Sequence, residues 1–259
     1  MRHVWLLAVL GCGRFDFGPF QERPDAARPP ADAATVNDAA LDPSLVAWWR
    51  MEALDGSDGV LGVSDSSGVS QTLAACTVGM DCPTIGPGKI GNAAQFDGAT
   101  AILSAASAPA LIDPTFTIGA WFRVISVNAD GGCVMTKGLG AGQFNSWAAC
   151  LDVGATPYFY TCQNTGADAL QAASPTPVTM GDWHYIAGTW DGMTKNLWID
   201  GAMIATDVPN GIDFDSDSVH IGGDVDNDTA VTLLDGMVDE VRVYNRVLSD
   251  EEIIALSTQ

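Results

Sequence analysis

Positive charge is scarce in this sequence: 11 Lys and Arg residues stand against 32 Asp and Glu residues, a formal net charge of −21. Nucleic acid and anionic lipid head groups would be repelled by such a chain, so neither is expected as a partner. Glutamate is also rare, and the abundant Asp favours turns and caps over helix interiors. With 28 glycines among 259 residues, this composition predicts many strands joined by turns. The numerous carboxylates make Ca²⁺, which binds hard oxygen ligands, the metal to consider.

No apolar run is long enough to cross a bilayer as a helix, which needs about 20 residues. The run from Val4 to Leu10 follows a short basic start and precedes Gly11-Cys12, an arrangement typical of an export signal. Its end, Val9-Leu10-Gly11-Cys12, resembles a bacterial lipobox, in which the Cys is lipidated and becomes the first residue of the mature chain. We therefore predict a signal peptide over residues 1–12, with Cys12 lipidated, and a protein that is exported and lipid-anchored at the outer membrane or cell surface. An ordinary signal peptide and a chance Cys are the alternatives.

A linker is predicted between this leader and the folded part of the chain. Residues 23–34 consist mostly of Pro, Ala and Asp, which bury too little apolar surface to fold. We expect residues 13–42 to form a semi-extended, disordered tether and residues 43–259 to form one domain. A domain of that length buries a core without needing a metal or a disulfide to fold.

Short apolar runs alternate with Gly, Asp and Asn turns from Leu45 onward, which predicts β-strands. The clearest stretch is 184–206, where the Asp-Gly pairs at 191–192 and 200–201 separate three apolar runs. Asp-Gly between apolar runs indicates a hairpin, because Gly tolerates the positive φ of the turn. This stretch predicts a three-strand antiparallel meander. The capping box of Ser249 and Glu252 predicts one short helix near the C-terminus.

Seven segments, taken in order, resemble a known family. They are Leu45-Val46-Ala47-Trp48-Trp49, Asp65-Ser66-Ser67-Gly68, Gly91-Asn92-Ala93-Ala94-Gln95-Phe96-Asp97-Gly98, Phe116-Thr117-Ile118-Gly119-Ala120-Trp121, residues 183–192, Trp198-Ile199-Asp200-Gly201 and residues 236–249. This succession is similar to bacterial laminin-G-like jelly-roll domains of the concanavalin-A-like lectin/glucanase superfamily, over roughly residues 45 to 257. The resemblance implies an all-β antiparallel sandwich of two sheets, one of them concave. It implies function only weakly, because the fold hosts lectins, glycosidases, lyases and adhesion modules.

The sequence lacks the carboxylates of a glycosidase. Retaining glucanases on this fold carry acid and nucleophile on alternate positions of one strand, about 5 Å apart. No Glu lies between Glu52 and Glu240, and regular alternation would point the adjacent Asp239 and Glu240 to opposite sheet faces. No G-x-S-x-G motif occurs, and the Cys and His spacings do not suit zinc. We predict no enzymatic activity, with a glycoside hydrolase or lyase as the disfavoured alternative.

A polysaccharide or cell-surface glycan is the partner that best fits a non-catalytic domain of this family. Trp48, Trp121 and Trp190 occupy family strand positions and are predicted to be buried. The aromatic candidates for a binding platform are Trp147, Tyr158 and Tyr160, which lie outside the matched segments. A structural or adhesion module without glycan binding is the alternative.

Disulfides are expected in an exported protein. Cys76 and Cys82 flank a short loop and are predicted to pair. Cys150 can pair with either neighbour, Cys133 or Cys162, across a predicted turn. The shorter hairpin favours Cys150–Cys162, a pairing in which Cys133 forms no disulfide within the domain.

A structural Ca²⁺ is implied by the resemblance, because a cation in this superfamily commonly bridges the first and last strands on the convex side. The matching positions are Glu52, Asp97, the Gly98 carbonyl and Asp239. The alternative is that Asp97 caps a turn and Asp239 pairs with an arginine. Two D-x-D-x-D runs, at 213–217 and 224–228, also offer carboxylates, but neither has the Gly and Glu positions of an EF-hand loop.

Overall fold

The computed structural model describes residues 41–57, 59–77, 82–140, 144–163, 170–209 and 211–259. The predicted signal peptide, the lipidation of Cys12 and nearly all of the predicted linker lie outside these residues. All the described residues belong to the unit Asp38–Gln259. Within them no helix has the length and apolar character that crossing a membrane requires.

Nineteen strands and one α-helix make up the described part of the chain. They are β1 Leu45–Trp49, β2 Asp55–Ser57, β3 Val60–Ser64, β4 Leu73–Thr77, β5 Thr84–Pro87, β6 Asn92–Asp97, β7 Leu103–Ala105, β8 Phe116–Ser126, β9 Gly132–Leu139, β10 Phe144–Leu151, β11 Pro157–Thr161, β12 Leu170–Ala173, β13 His184–Trp190, β14 Lys195–Ile199, β15 Ala202–Asp207, β16 Val219–Ile221, β17 Asp224–Asp226, β18 Thr229–Val231, β19 Asp235–Tyr244 and α1 Asp250–Leu256. A 3₁₀ turn spans Pro109–Leu111.

Two large antiparallel sheets form a sandwich, which confirms the predicted fold class. The first has eight strands in the order β15-β14-β13-β8-β19-β6-β5, with β1 also paired to β19. The second has nine strands in the order β12-β11-β10-β9-β16-β7-β4-β3-β2. The hairpin β17–β18 stands apart from both. The chain crosses repeatedly between the sheets, so residues distant in sequence become neighbours on each face.

The meander β13–β14–β15 confirms the hairpins predicted from the two Asp-Gly pairs. Asp191 accepts hydrogen bonds from the Met193 and Thr194 amides and so closes the first turn. In the second turn Asp200 and Gly201 both have positive φ, 52° and 79°, as that turn requires.

Apolar side chains from the inner faces of both sheets form the main core. The sheets approach closely where Gly188 of β13 faces Phe159 of β11: a Cβ on Gly188 would lie 2.7 Å from the phenyl ring. Trp190 belongs to this core, as predicted.

The outer face of the eight-stranded sheet is covered. Trp48 and Trp121 are buried there in a second cluster with Ile253 of α1. The capping box that starts α1 is present, with Ser249 accepting from the Glu252 amide and Glu252 accepting from the Ser249 amide. The helix therefore closes this face, and the outer face of the nine-stranded sheet is the other broad surface of the sandwich.

The structure contains the predicted disulfide Cys76–Cys82 but corrects the second one. Cys150 pairs with Cys133, not with Cys162. The register explains the correction: Cys150 lies opposite Cys133 on β9, whereas β11 places Tyr158 opposite Cys150. Cys162 comes just after β11, at the far end of that ladder from Cys150. It is buried, and its thiol donates to the Gln163 carbonyl.

Candidate functional site

Strand register brings a row of side chains together across the outer face of the nine-stranded sheet. Neighbouring positions on β7, β16, β9, β10 and β11 are, in order, Ser104, His220, Thr136, Ala148 and Tyr160. A shorter parallel row runs through Cys133, Cys150, Tyr158 and Ala173. Residues two apart on a strand share a face, so both rows lie on the same side. We call this surface, from Ser104 to Tyr160, the tyrosine face.

Tyr158 and Tyr160 form the aromatic part of the tyrosine face. Both are half-buried and pack against the small apolar cluster of Ala148 and the Cys133–Cys150 disulfide. Burial raises the pKa of both phenols above the ordinary value. The two hydroxyls are therefore protonated at neutral pH and can donate as well as accept hydrogen bonds.

Trp147 does not belong to this surface, which corrects its prediction as a binding residue. Its side chain is 1% exposed and lies in the core between the sheets. The ring centroid is 6.3 Å from that of Phe116. Since alternate residues of a strand face opposite sides, the outward Ala148 requires an inward Trp147.

The hairpin β17–β18 lies over the tyrosine face and is held there by Asp224. This buried carboxylate accepts from the Asn145 side-chain amide at 2.7 Å, the Thr136 hydroxyl at 3.0 Å and the Val225 amide at 2.9 Å. At the hairpin turn Asn227 and Asp228 have positive φ, which Asn and Asp tolerate better than most residues. The polar side chains of the hairpin thereby form one border of the tyrosine face.

A cleft of about 210 Å³ opens beside the hairpin. Its lining consists of Gly138, Leu139, Gly140, Asp217, Ser218, His220, Val225, Asn227 and Asp228. Burial lowers the pKa of His220, so this ring is neutral at pH 7. Its Nδ1 lies 2.8 Å from the Ser104 hydroxyl. Among the described residues no hydrogen bond joins His220 to a carboxylate, so a Ser–His–Asp relay is not assembled.

The four predicted calcium ligands lie in two separate places. Asp97 is paired with Asp235 in the β6–β19 ladder, and Asp239 lies four residues further along β19, about 13 Å away. Asp97 accepts from the Ala99, Thr100 and Ala101 amides, and these bonds lower its pKa below the ordinary value although burial opposes them. This carboxylate therefore closes the turn that contains Gly98.

Glu52 and Asp239, by contrast, meet around the segment 88–92. Asp239 is buried and accepts from the Lys89 and Ile90 amides, while Glu52 accepts from the Asn92 amide. Burial raises the pKa of Asp239 to about 7, and the negative charges of Glu240 and then Glu52 add to that rise. Its Oδ1 has no hydrogen-bond partner among the described residues. A proton or a cation at this oxygen would satisfy it.

Asp239 and Glu240 do not point to opposite faces, which corrects the expectation for adjacent strand residues. The ladder between β19 and β8 shifts between Asp239 and Arg242, and Glu240 has φ of 54°. Such a bulge aims two successive side chains to one side. Glu240 accepts from the Trp48 indole and the Arg242 guanidinium, so it is an ion-paired support for the buried cluster. No group of three or more His, Cys, Asp or Glu side chains suited to a metal occurs in the described part of the chain.

The fold agrees with a family comparison. A family model described as "Concanavalin A-like lectin/glucanases superfamily", of the laminin G type, matches residues 96–254. This match covers more than half of the sequence, so the chain belongs to that family. The mouse (Mus musculus) pentraxin-related protein PTX3 is 30% identical over 104 residues, which are 35% of this chain and 26% of the relative.

Solved structures show the same sandwich. The binding domain of Paraclostridial Mosquitocidal Protein 1 superposes with a TM-score of 0.63 at 16% identity, over 83% of this chain and 52% of that one. The botulinum neurotoxin type G receptor binding domain superposes with a TM-score of 0.55 at 13% identity, over 83% of this chain and 51% of that domain. The Ruminococcus gnavus IT-sialidase CBM40 bound to α2,3 sialyllactose superposes with a TM-score of 0.50 at 21% identity, over 56% of this chain and 83% of that module. The chain spans about half the length of the two toxin domains. At these identities the likeness shows a shared fold.

Proposed function

We propose that this protein is an exported, surface-tethered, non-catalytic module that binds carbohydrate through the tyrosine face. The observation that carries the proposal is the pair Tyr158 and Tyr160, partly exposed on the same sheet face as the cleft residue His220. Their positions two residues apart separate them by about 7 Å along β11, so neighbouring sugar residues of one chain can contact both rings. Aromatic rings with a polar end suit ligands that are apolar on one side and hydrated on the other.

Buried polar side chains lie on the same sheet face as the rings. Asn145 and Asp224 are fixed by their mutual hydrogen bond, and His220 by its contact with Ser104. Pockets for small polar ligands combine apolar contact area with a few oriented polar groups. Two structural neighbours, a neurotoxin receptor binding domain and a CBM40 bound to α2,3 sialyllactose, agree with a binding role.

A glycan array tests the proposal on the full chain. We expect binding to at least one glycan class. Tyr158→Ala and Tyr160→Ala should each weaken it about tenfold, the effect of losing about 1.4 kcal/mol of stacking. Met203→Ala is the matched control, because Met203 is exposed on β15 of the other sheet. Absence of binding to every glycan would support the alternative, a structural or adhesion module.

Absence of catalysis is tested on the same sample. Asp224, the carboxylate that packs against the tyrosine face, is buried and occupied by hydrogen bonds from Thr136 and Asn145. Incubation with β-glucan, galactan and alginate should therefore release no oligosaccharides. Product formation would contradict this part of the proposal and favour a hydrolase or lyase.

We further propose that a structural Ca²⁺ binds where Glu52 and Asp239 meet. The buried, unsatisfied Oδ1 of Asp239 supports it, since Ca²⁺ accepts carboxylate and carbonyl oxygens together. A cation there would compensate the negative charges of Glu52 and Asp239. These two carboxylates are close enough for Glu52 to contribute to the raised pKa of Asp239. Asp97 and Gly98, opposite Asp235 at the start of β19, lie about 13 Å from Asp239 and are too far away to share that ion.

A further inference from the structure

The positive charges of the domain lie almost entirely on one of its two sheets. Beyond residue 40 the chain has seven Lys and Arg residues, and none of the undescribed internal positions contains one. They are Arg50, Lys89, Arg123, Lys137, Lys195, Arg242 and Arg246. Six of them belong to the eight-stranded sheet or to segments adjoining it. Lys137 of β9 is the exception.

Lys137 does not serve the tyrosine face, because it points into the protein. It lies in register with Trp147 on one side and Val219 on the other, both core residues. Its side chain is fully buried, and the ammonium donates to the Asp215 carbonyl at 3.2 Å and to the carbonyls of Gly138 and Asp217. A ligand on the outer surface therefore contacts no lysine or arginine side chain of this domain, and the charge of the buried Lys137 reaches the cleft only from behind, where after burial it helps to lower the pKa of His220.

Acidic groups surround the same face. Asp217 and Asp228 line the cleft, and Asp224 at the start of the hairpin is buried against Thr136 and Asn145. The charges of Asp224 and Asp152 are close enough to Tyr158 to raise its pKa. Carboxylates only accept hydrogen bonds, so they match the hydroxyl donors of an uncharged sugar and oppose a carboxylate or sulfate.

We propose that the tyrosine face selects glycans without acidic groups and rejects sialylated, sulfated and uronate-containing chains. This inference rests on the proposed glycan binding and names its substrate class. It also separates this protein from its structural neighbour, the CBM40 bound to α2,3 sialyllactose, despite the shared fold.

Matched pairs of glycans test the selectivity. The probes are lactose against α2,3-sialyllactose, galactan against polygalacturonate, and a neutral β-glucan against its sulfated form. In every pair that binds, we expect the neutral member to bind at least about tenfold tighter than its acidic partner, a difference of about 1.4 kcal/mol. The difference should shrink at high salt, because repulsion between exposed charges is screened.

A charge-adding variant connects the selectivity to the cleft. Ser218 lines the cleft. Ser218→Lys should therefore reduce the difference in affinity between the neutral and the acidic glycan of a pair, while the uncharged Ser218→Gln should leave that difference unchanged. Melting curves confirm that both variants fold.

Three results have distinct meanings. Equal or tighter binding of an acidic partner would overturn the selectivity and leave glycan binding intact. Unchanged discrimination in Ser218→Lys would likewise overturn the role of this cleft. Binding of no member of any pair would contradict the proposed function itself.

Discussion

Removing the Cys133–Cys150 disulfide should cost the domain a large share of its stability. The bridge joins residues 17 apart in sequence. The chain-entropy model gives about 3 kcal/mol for closing a loop of that size in the unfolded chain. For a domain of about 215 residues, such a loss lowers the Tm by about 6–12 °C. Cys133→Ala and Cys150→Ala should each show that decrease.

A double-mutant cycle distinguishes this pairing from Cys150–Cys162. Either single variant breaks the same bond, so Cys133→Ala/Cys150→Ala should cost little more free energy of unfolding than one single variant. Cys162→Ala combined with Cys133→Ala should be closer to additive, because the two side chains share no bond. Chemical denaturation under non-reducing conditions provides the measurement.

The opposite pattern would refute the reasoning from strand register. If the non-additive pair were Cys150 and Cys162, then β10 and β11 would have to pair with a register different from Cys150 opposite Tyr158. Mapping of non-reduced peptides gives an independent answer on the wild-type protein.

Three further predictions concern pH, metal and localisation. Hydrogen bonding and charge from Arg246 hold the pKa of Glu252 at about 2, below its unfolded value, so its contribution is present above about pH 4.5 and is lost as the pH falls through 2. Since the side chain is 41% exposed, screening limits that contribution to about 1 kcal/mol. Glu252→Gln should therefore lower the free energy of unfolding by about this amount at pH 7, and the loss should shrink toward zero as the pH falls below 2. Urea denaturation measures both values, and an equal loss at the two pH values would contradict the prediction. Ca²⁺ at a hundredfold excess over its Kd should add about 2.7 kcal/mol to the free energy of unfolding and so raise the Tm above the value measured with a chelator. Asp239→Ala should abolish this rise in Tm, and a rise that persists in the variant would place the ion elsewhere. Cys12→Ser should move the protein from the membrane to the soluble fraction of its cells, and unchanged membrane association would contradict lipidation of Cys12.

The sequence determined the features that depend on neighbouring residues. The Asp-Gly turns and the Ser249 capping box specify their local backbone through φ and side-chain hydrogen bonds within a few positions. Short apolar runs between turns likewise predicted strands, and the family resemblance predicted the buried tryptophans. Tyr158 and Tyr160 were assigned correctly to one face, because a period of two needs no knowledge of the rest of the fold.

The tertiary structure decided which face is covered and which strands are neighbours. Trp147 and Tyr160 are both strand aromatics, and only the packing of two sheets makes one a core residue and the other a surface residue. Bulges also make the face of a strand residue hard to predict, since one extra residue exchanges the faces of all later residues in the strand. The bulge at Glu240 turned two carboxylates to one side, and the shift near Val134 set Cys133 opposite Cys150. The segregation of positive charge onto one sheet also required the topology, because strands far apart in sequence share each surface.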